Sequence, residues 1–427
     1  MENTIDVAIL GAGIAGLGAA LKAKELGRDY AIFEAKNSAG GLLDNFTVGD
    51  YRFDNAVHLS FAKESMVREI FDRTPFHTHP ADSLNFDNGK WLKHPVQNNL
   101  FPLPAEEKVE LIQSFISRRD YENIPNYEAW LRHQYGDMLA ERYPLKYTKK
   151  YWQCEASELS TLWIGNRMRR ADIKEVLFGA FTSDTPNTYY TNEMRYPKRG
   201  GYKAFIQCLI DESNILLNHE VSVIDLKNRK ITFLNGRTVA YSTLVSSLPL
   251  PILCDVCVNL PVEVRSAVLD LEATSIDLIS VGLNCDIVKD LWFYIYDEDI
   301  FASRVYSPSV KSPENAPKGC SSLQFEIYNP GRVSQRTAEE LKENVVYALG
   351  KMKIASQDDI EFLHHKFLPW GNVVFKSGME ESRDLVRRYF SNKNIATVGR
   401  FGEWDYLWSN QSLISGFNGL NCGVGGR

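Results

Sequence analysis

The chain has 427 residues, more than a single hydrophobic core usually supports, so the sequence predicts two or three structural domains. Apolar residues make up 44% of it and charged residues 24%, which is ordinary for a globular protein. A net charge of −6 argues against a nucleic-acid-binding protein, because such a surface needs an excess of Lys and Arg.

The N-terminus has none of the features of an export signal. Glu2 and Asp6 stand where a signal peptide carries positive charge. The longest other apolar run, residues 244–262, contains Asp255 and three prolines, which a membrane-spanning helix tolerates poorly. We therefore expect a cytoplasmic protein with no membrane partner.

The cysteines do not predict a metal site. Seven are spread along the chain, and only Cys254 and Cys257 form a C-x-x-C pair. A zinc site would need a second pair or a histidine cluster, so we expect no metal. Two buried thiols are the favoured interpretation, and a redox pair is the alternative.

The first sixty residues carry the clearest pattern. An apolar strand over residues 5–10 leads into Gly11, Gly13 and Gly16, an Ala/Leu-rich helix, and a second strand ending at Glu34. This is the order of a dinucleotide-binding βαβ unit. Gly11 permits the turn, Gly13 lets the backbone approach a pyrophosphate, and Gly16 lets the helix pack on the strand. The helix N-terminus favours the phosphates, and Glu34 can accept the ribose hydroxyls.

A second glycine pair indicates which dinucleotide is bound. Gly40 and Gly41 follow Glu34 closely, and residues 51–54 then lead to His58. This resembles the FAD-binding superfamily that includes amine oxidases, protoporphyrinogen oxidase and UDP-galactopyranose mutase. An NAD-binding unit has no use for glycines there, so FAD is the expected cofactor. The alternative is a plain tight loop after the second strand.

The next segment, residues 91–190, is interpreted as a helical insertion. Its first part is dense in amides and aromatic residues, and buried amides need partners that a ligand can supply. Helices are predicted from Pro104, from near Asn126, and from about Gly136 through Tyr147. Their aromatic residues are expected to pack the helices rather than to contact a ligand.

Two places supply candidate arginines. Arg167, Arg169 and Arg170 form a local positive spot, and the guanidinium fork suits diphosphate oxygens. From spacing alone, a solvated, salt-bridged helix face is the favoured interpretation of these three arginines. Arg304, in a later strand pattern, is a second candidate.

The remaining chain alternates between two sheets. Strands near 215–217, 221–224, 230–234 and 243–247, with a hairpin turn at Asn235-Gly236, are expected to return to the first sheet. Alternating runs from about 275 to 330 predict a separate antiparallel sheet, followed by an amphipathic helix at 337–352. The predicted fold is α/β: a Rossmann-like FAD-binding domain (1–90, 191–265 and 351–427), the helical insertion (91–190), and an antiparallel β-sheet domain (266–350).

The C-terminal section returns to ligand chemistry. A strand near residue 398 ends at Gly399 and Arg400, and residues 404–412 are rich in aromatic and amide side chains. Ligands in α/β sheets meet the carboxyl ends of strands, so this loop is expected at the site. Ser412 can begin a final helix whose N-terminus points at the flavin.

Taken together, the motifs resemble the UDP-galactopyranose mutase family, closest to its eukaryotic-type sequences, from residue 5 to about residue 420. Residues 53–58 resemble that family's Phe-Asp…His loop over the flavin, and residues 94–99 resemble its uridine-binding segment. Residues 165–167 are similar to its Gly-Glu-Arg, whose arginine holds the diphosphate. Residues 292–304 resemble its mobile diphosphate clamp, and residues 400–411 resemble its Arg-Phe-Gly…Asn-Gln stretch.

The resemblance implies an isomerase acting on a nucleotide sugar. In that family N5 of reduced FAD attacks the anomeric carbon of a UDP-hexose, the ring opens through a flavin iminium, and it recloses on another hydroxyl without net oxidation. The resemblance therefore implies a pyranose–furanose mutase of cell-surface polysaccharide biosynthesis. A reductant such as NAD(P)H would keep the flavin reduced.

The resemblance also assigns roles to residues. Arg167 and Arg304 would neutralise the leaving diphosphate and tether free UDP, Tyr294 and Tyr406 would donate to the same phosphates, and His58 would order the loop. The substrate-binding set adds His94, Gln97, Asn98, Arg170, Trp370 and Asn410. The cofactor-binding set adds Val221, Gly399, Arg400, Gln411 and Ser412 to the glycines and Glu34.

Three departures predict a divergent member. Ala56-Val57 replaces the glycine pair that lets the family's loop flip, His94 replaces a tyrosine, and Trp370 replaces the second clamp tyrosine and cannot accept a hydrogen bond there. A modified nucleotide sugar is as well supported as UDP-galactose. The alternatives are an FAD oxidoreductase of the amine oxidase or protoporphyrinogen oxidase type, and a flavin-holding protein without catalysis. The sugar, the base and the oligomeric state are left open.

Overall fold

The computed structural model describes residues 4–120, 122–165, 168, 172–186 and 193–421. The strands are β1 (Thr4–Leu10), β2 (Tyr30–Phe33), β3 (Asn45–Val48), β4 (Tyr51–Asp54), β5 (Phe76–His79), β6 (Leu84–Asp87), β7 (Lys90–Lys93), β8 (Met194–Pro197), β9 (Ile215–Leu216), β10 (Val221–Asp225), β11 (Lys230–Phe233), β12 (Thr238–Ser246), β13 (Thr274–Leu283), β14 (Trp292–Ile295), β15 (Arg304–Tyr306), β16 (Ser321–Pro330), β17 (Ile360–Leu368) and β18 (Ile395–Thr397).

The described residues also form α-helices throughout the chain. They are α1 (Ile14–Glu25), α2 (Ser65–Phe71), α3 (Ala105–Ile116), α4 (Tyr127–Tyr135), α5 (Asp137–Ala140), α6 (Lys146–Trp152), α7 (Ile173–Phe181), α8 (Gln207–Asp211), α9 (Leu250–Val256), α10 (Val262–Val268), α11 (Pro308–Lys311), α12 (Ala338–Lys351), α13 (Met379–Ser391), α14 (Gly399–Gly402) and α15 (Ser409–Gly419).

The first sheet is the predicted dinucleotide-binding sheet. Its strands run in the order β10-β11-β12-β1-β2-β9, with β18 beside β12. β1 pairs in parallel with both β2 and β12, and its residues from Val7 to Leu10 are buried, as expected for a strand covered on both faces. The hairpin turn at Asn235-Gly236 joins β11 to β12, as the sequence predicts.

The second sheet supplies the other wall of the site. Its order is β17-β13-β16-β15-β14-β6-β7, and all its neighbours are antiparallel except β14 and β6. It recruits β6–β7 and β17 as well as the predicted strands between 275 and 330. The predicted boundaries of the domains stay predictions.

The predicted helical segment is helical where the structure describes it. α3 begins at Ala105 with Glu106 and Glu107 in its first turn, and the side chain of Asn126 caps α4. The third predicted helix runs further than expected, through a π-helical turn at Glu141–Leu145 and on to Trp152. α12 confirms the amphipathic helix predicted over 337–352, and Thr337 closes a capping box with Glu340.

Three smaller observations complete the fold. Cys254 and Cys257 are buried free thiols, as favoured from the sequence. No helix in the described ranges has the length and apolarity needed to cross a bilayer. Within the same ranges, no cluster of three or more His, Cys, Asp or Glu residues could bind a metal ion.

Candidate active site

One cavity of about 450 Å³ lies between the two sheets. It begins at the glycine turn after β1 and continues beneath the face of the second sheet. Many residues predicted from the sequence line it together: Gly11, Gly13, Glu34, Gly40, Gly41, His58, Tyr294, Arg304, Trp370, Gly399, Arg400, Tyr406 and Ser412.

The end of the cavity formed by the first sheet fits a dinucleotide. No side chain caps the N-terminus of α1, and its first turn contains no acidic residue, so its N–H groups and positive dipole end are left for an anion. Gly40 and Gly41 have φ of 122° and 60°, which side chains rarely adopt. A Cβ on Gly16 would lie 1.9 Å from the Gly11 carbonyl oxygen, so only glycine lets α1 pack this closely.

Glu34 stands where the ribose is expected. Its carboxylate accepts hydrogen bonds from the backbone N–H of Ala12 at 2.8 Å and of Lys36 at 3.0 Å, and it lines the cavity. These bonds fix the carboxylate at the end of β2. The uncapped helix, the glycine cradle and this carboxylate together fit FAD.

A strained loop, residues 55–58, forms the next part of the wall. Ala56 has a φ of 70°, in the left-handed region that costs an L-residue about 1 kcal/mol. The Nε2 of His58 lies 3.1 Å from the Leu42 carbonyl and 3.0 Å from the Asn55 carbonyl, so Nε2 carries the proton. Burial lowers the pKa of His58, which leaves a neutral ring with Nδ1 as an acceptor.

A buried ion pair, Lys311 with Asp54, contacts this loop. Lys311 and Asp54 both have side chains that are 0% exposed, and Nζ lies 2.9 Å from Oδ2. Tyr196 donates its hydroxyl to the same oxygen, and the Tyr202 N–H donates to Oδ1. The Lys311 Nζ also donates to the His58 carbonyl at 3.4 Å, so the pair reaches the loop itself.

The second sheet brings the predicted clamp residues into one row. β14, β15 and β16 are in register so that Tyr294 lies opposite Arg304, and Arg304 lies opposite Glu326. Residues paired across antiparallel strands share a face, and this face lines the cavity at Tyr294 and Arg304.

Arg304 is held by a carboxylate. Its Nε and Nη2 donate to Glu326 Oε2 at 2.8 Å and 2.5 Å, and Nη2 also reaches the Tyr328 hydroxyl at 3.3 Å. Nη1 makes no hydrogen bond to a described residue, so this nitrogen stays available to a ligand. The Glu326 side chain is 0% exposed, so this contact removes much of the net charge that Arg304 brings to the cavity.

Aromatic side chains enclose the part of the cavity next to Arg304 and Tyr294, which forms a chamber. The hydroxyls of Tyr151 and Tyr406 are 3.3 Å apart, and the Arg400 guanidinium lies 4.6 Å from the centre of the Tyr406 ring. Arg400 Nη2 and the Tyr151 hydroxyl both donate to Asn372 Oδ1. Among described atoms, Asn372 Nδ2 and Arg400 Nε are buried without a partner, and an acceptor-rich ligand would satisfy these donors.

His94 does not line the cavity but packs against Tyr294, which does. Its ring centre lies 4.8 Å from that of Tyr294, and its Nδ1 lies 3.2 Å from Asn85 Oδ1. Burial lowers the pKa of His94 to about 4, so the ring is neutral at physiological pH.

Other predicted site residues that the structure describes do not line the cavity. Asn98 donates to Glu175, although its Oδ1 is buried without a partner among described residues. Asn410 donates to Glu64, and the Gln411 side chain accepts from the Trp408 N–H at the start of α15. Arg167 and Arg170 lie outside the described residues. The roles of all the predicted site residues stay predictions, including those of Arg167, Arg170, His94, Gln97, Asn98, Asn410, Gln411 and Val221.

Sequence reasoning missed several residues of the site. Tyr151 was given no role in the site, yet it lines the cavity one turn beyond Tyr147, the predicted end of the third helix. Glu326 and Tyr328 lie in a strand with no motif, and only its register with β15 brings them to Arg304. The signal that could have found them is Glu326 itself, a charged residue between Phe325 and Ile327 in a predicted strand, since a buried carboxylate needs a partner.

Comparisons with known proteins agree with this geometry. A family model described as flavin containing amine oxidoreductase matches residues 14–387. Over 129 residues the chain is 50% identical to 1-hydroxycarotenoid 3,4-desaturase from Flavobacterium sp. (strain P99-3). That match covers 28% of this chain and only 26% of the desaturase, so it spans about a quarter of this curated relative.

Solved structures share the fold along almost the whole chain. The crystal structure of reduced UDP-galactopyranose mutase has a TM-score of 0.92 and 22% identity, covering 98% of this chain and 95% of that one. Cyclohexylamine oxidase from Brevibacterium oxydans IH-35A has a TM-score of 0.70 and 16% identity over 99% of both chains. The predicted α/β fold is confirmed. By its match over residues 14–387, the chain belongs to the flavin containing amine oxidoreductase family and is an FAD-dependent enzyme.

Proposed function

We propose that this enzyme is a nucleotide-sugar mutase that interconverts the pyranose and furanose forms of a sugar attached to a nucleoside diphosphate. The observation that carries the proposal is that one continuous cavity joins the dinucleotide cradle to a chamber lined by Arg304, Tyr294 and Tyr406. The fold likeness to UDP-galactopyranose mutase is consistent with it.

The chamber suits the polar tail of such a substrate. Arg304 offers its Nη1 to a phosphate oxygen, and the hydroxyls of Tyr294 and Tyr406 can donate hydrogen bonds to the charge that develops on the diphosphate. When the diphosphate departs from the anomeric carbon, these donors would hold it in place for its return. Bound FAD, in its reduced form, supplies the nucleophile for that carbon.

The sugar would lie between the loop at 55–58 and the aromatic wall. Tyr151, Trp370 and Tyr406 line this space and would exclude water, which could otherwise attack the anomeric carbon after the diphosphate has left. His58 lines the same cavity, and with its proton on Nε2 its Nδ1 is a potential proton acceptor. A cellular reductant such as NAD(P)H would supply the electrons.

The test is the response of the FAD-bound protein to UDP. At a hundred times its dissociation constant, UDP should add about 2.7 kcal/mol of stability, and Arg167→Ala and Arg304→Ala should each lose most of that shift. Arg336→Ala is the matched control, because Arg336 is an exposed guanidinium lying over Phe301 outside the cavity. Each variant is compared with its own melting temperature without UDP, since removing Arg304 also leaves Glu326 unpaired. If both variants respond to UDP like the parent, the clamp assignment is wrong.

The second candidate is an FAD oxidoreductase of the amine oxidase or protoporphyrinogen oxidase type. The family match and the aromatic chamber favour it, since an amine can lie between such rings. An anaerobic panel of amines separates the two: bleaching of the flavin absorbance by an amine, without added reductant, would support the oxidoreductase.

A further inference from the structure

One carboxylate connects the two halves of the cavity. Glu326 Oε2 accepts Nε and Nη2 of Arg304 on the substrate side, while Oε1 accepts the backbone N–H of Val57 at 2.7 Å on the loop side. With its side chain 0% exposed, Glu326 has no solvent to replace either partner. A movement of one partner therefore changes the hydrogen bonding of the other.

The loop end of this connection contains a strained residue and a buried polar atom without a partner among described residues. Val57 follows Ala56, whose φ of 70° is strained, and Asn55 Oδ1 is buried without a partner among described residues. Residues 55–58 all line the cavity. A strained segment persists only where its surroundings hold it, and the hydrogen bond to Glu326 is one of the contacts that hold this loop.

On the substrate side, Glu326 fixes the orientation of the Arg304 guanidinium. Glu326 occupies the Nε and Nη2 donors of Arg304 and leaves Nη1 for a ligand, so the carboxylate sets the direction in which the guanidinium points. A diphosphate on Nη1 draws charge from the same guanidinium and weakens its hold on Glu326 Oε2. The carboxylate can then bind the Val57 N–H more strongly.

We propose that Glu326 is a positioning residue that couples diphosphate binding at Arg304 to the placement of the loop at 55–58 beside the flavin. This inference rests on the proposed function for the identity of the ligand. As a consequence, a bound nucleotide would hold the loop at 55–58 more firmly beside the cofactor, although the nucleotide does not contact that loop.

The test is hydrogen exchange at the amides of residues 55–58 in the FAD-bound protein, with and without UDP or inorganic pyrophosphate. In the parent, either ligand should slow the exchange of the Val57 amide by about fivefold or more, the usual size of coupling between two sites. Glu326→Gln keeps the size of the side chain but offers one accepting oxygen instead of two, so the ligand-dependent change should fall below about twofold. Flavin absorbance, recorded on the same samples, confirms that the cofactor is bound.

Tyr328→Phe is the matched control. The Tyr328 hydroxyl donates to Glu326 Oε2 at 3.0 Å and accepts from Arg304, and neither of these hydrogen bonds involves the loop at 55–58. This variant should keep the protection of the Val57 amide while it weakens ligand affinity.

The outcomes separate the two proposals. If UDP binds to the parent and the Glu326→Gln variant shows the same protection of Val57 as the parent, the coupling is wrong and the proposed function stands. If pyrophosphate binds and UDP does not, the proposed function fails and the coupling is judged on pyrophosphate. If neither ligand binds, both proposals fall.

Discussion

The buried pair beneath the loop gives a prediction whose size follows from the structure. Lys311→Met removes the ammonium group and leaves Asp54 charged, with the Tyr196 hydroxyl and the Tyr202 N–H as remaining partners of its carboxylate. Breaking a buried ion pair in this way costs about 3–5 kcal/mol. Because two hydrogen bonds to the carboxylate survive, we expect about 3 kcal/mol, near the lower end of that range.

The assay is thermal unfolding of the flavin-bound protein. For 427 residues unfolding together, a loss of 3 kcal/mol corresponds to a melting temperature lower by roughly 3 °C. The double variant Asp54→Asn with Lys311→Met removes both charges, and the new amide can still accept the Tyr202 N–H through its oxygen and donate to the Tyr196 hydroxyl through its NH2. It should therefore recover at least half of that loss. A Lys311→Met protein that melts within about 1 °C of the parent, or a double variant no more stable than the single one, would refute the reasoning.

Three further predictions concern residues in and next to the cavity. Burial lowers the pKa of His94 to about 4, so between pH 6.5 and 4 the unfolded chain binds a proton that the folded chain does not. Lowering the pH through this window should therefore reduce the free energy of unfolding, measured with urea, by about 3 kcal/mol. The variant His94→Phe should not show this loss. Gly16→Ala should lose most of its bound flavin on gel filtration, whereas Gly350→Ala, where a Cβ meets nothing within 4 Å, should retain it. Ala56→Gly should leave the melting temperature within about 1 °C, because relief of strain offsets added freedom of the unfolded chain, while the amides of residues 55–58 exchange faster.

The parts of the fold that sequence predicts well are those specified by neighbouring residues. The unit from β1 through Glu34 needs only a buried strand, a glycine turn, a helix and an acid in order, and all of these are local patterns. The same holds for the cap of α12 and for the turn at Asn235-Gly236. Tyr294 and Arg304 were also found, because their resemblance to a known clamp lies in the residues themselves.

The parts that sequence misses are made by contacts between distant strands. Glu326 meets Arg304 and Val57 only because β15 pairs with β16 and the loop after β4 lies against that sheet. Lys311 meets Asp54 across more than two hundred residues of chain, and no periodic pattern reports such a contact. These contacts depend on the register of paired strands and on where the loop packs, and local sequence patterns predict neither of them.

The central claim is tested most directly by incubating the protein with a set of UDP- and dTDP-sugars, with and without dithionite, and separating the products by chromatography. We expect at least one sugar to interconvert between its pyranose and furanose forms when the flavin is reduced, and none when it is strictly oxidised. Interconversion that persists with oxidised flavin, or a complete absence of ring isomers from every sugar with reduced flavin, would contradict the account.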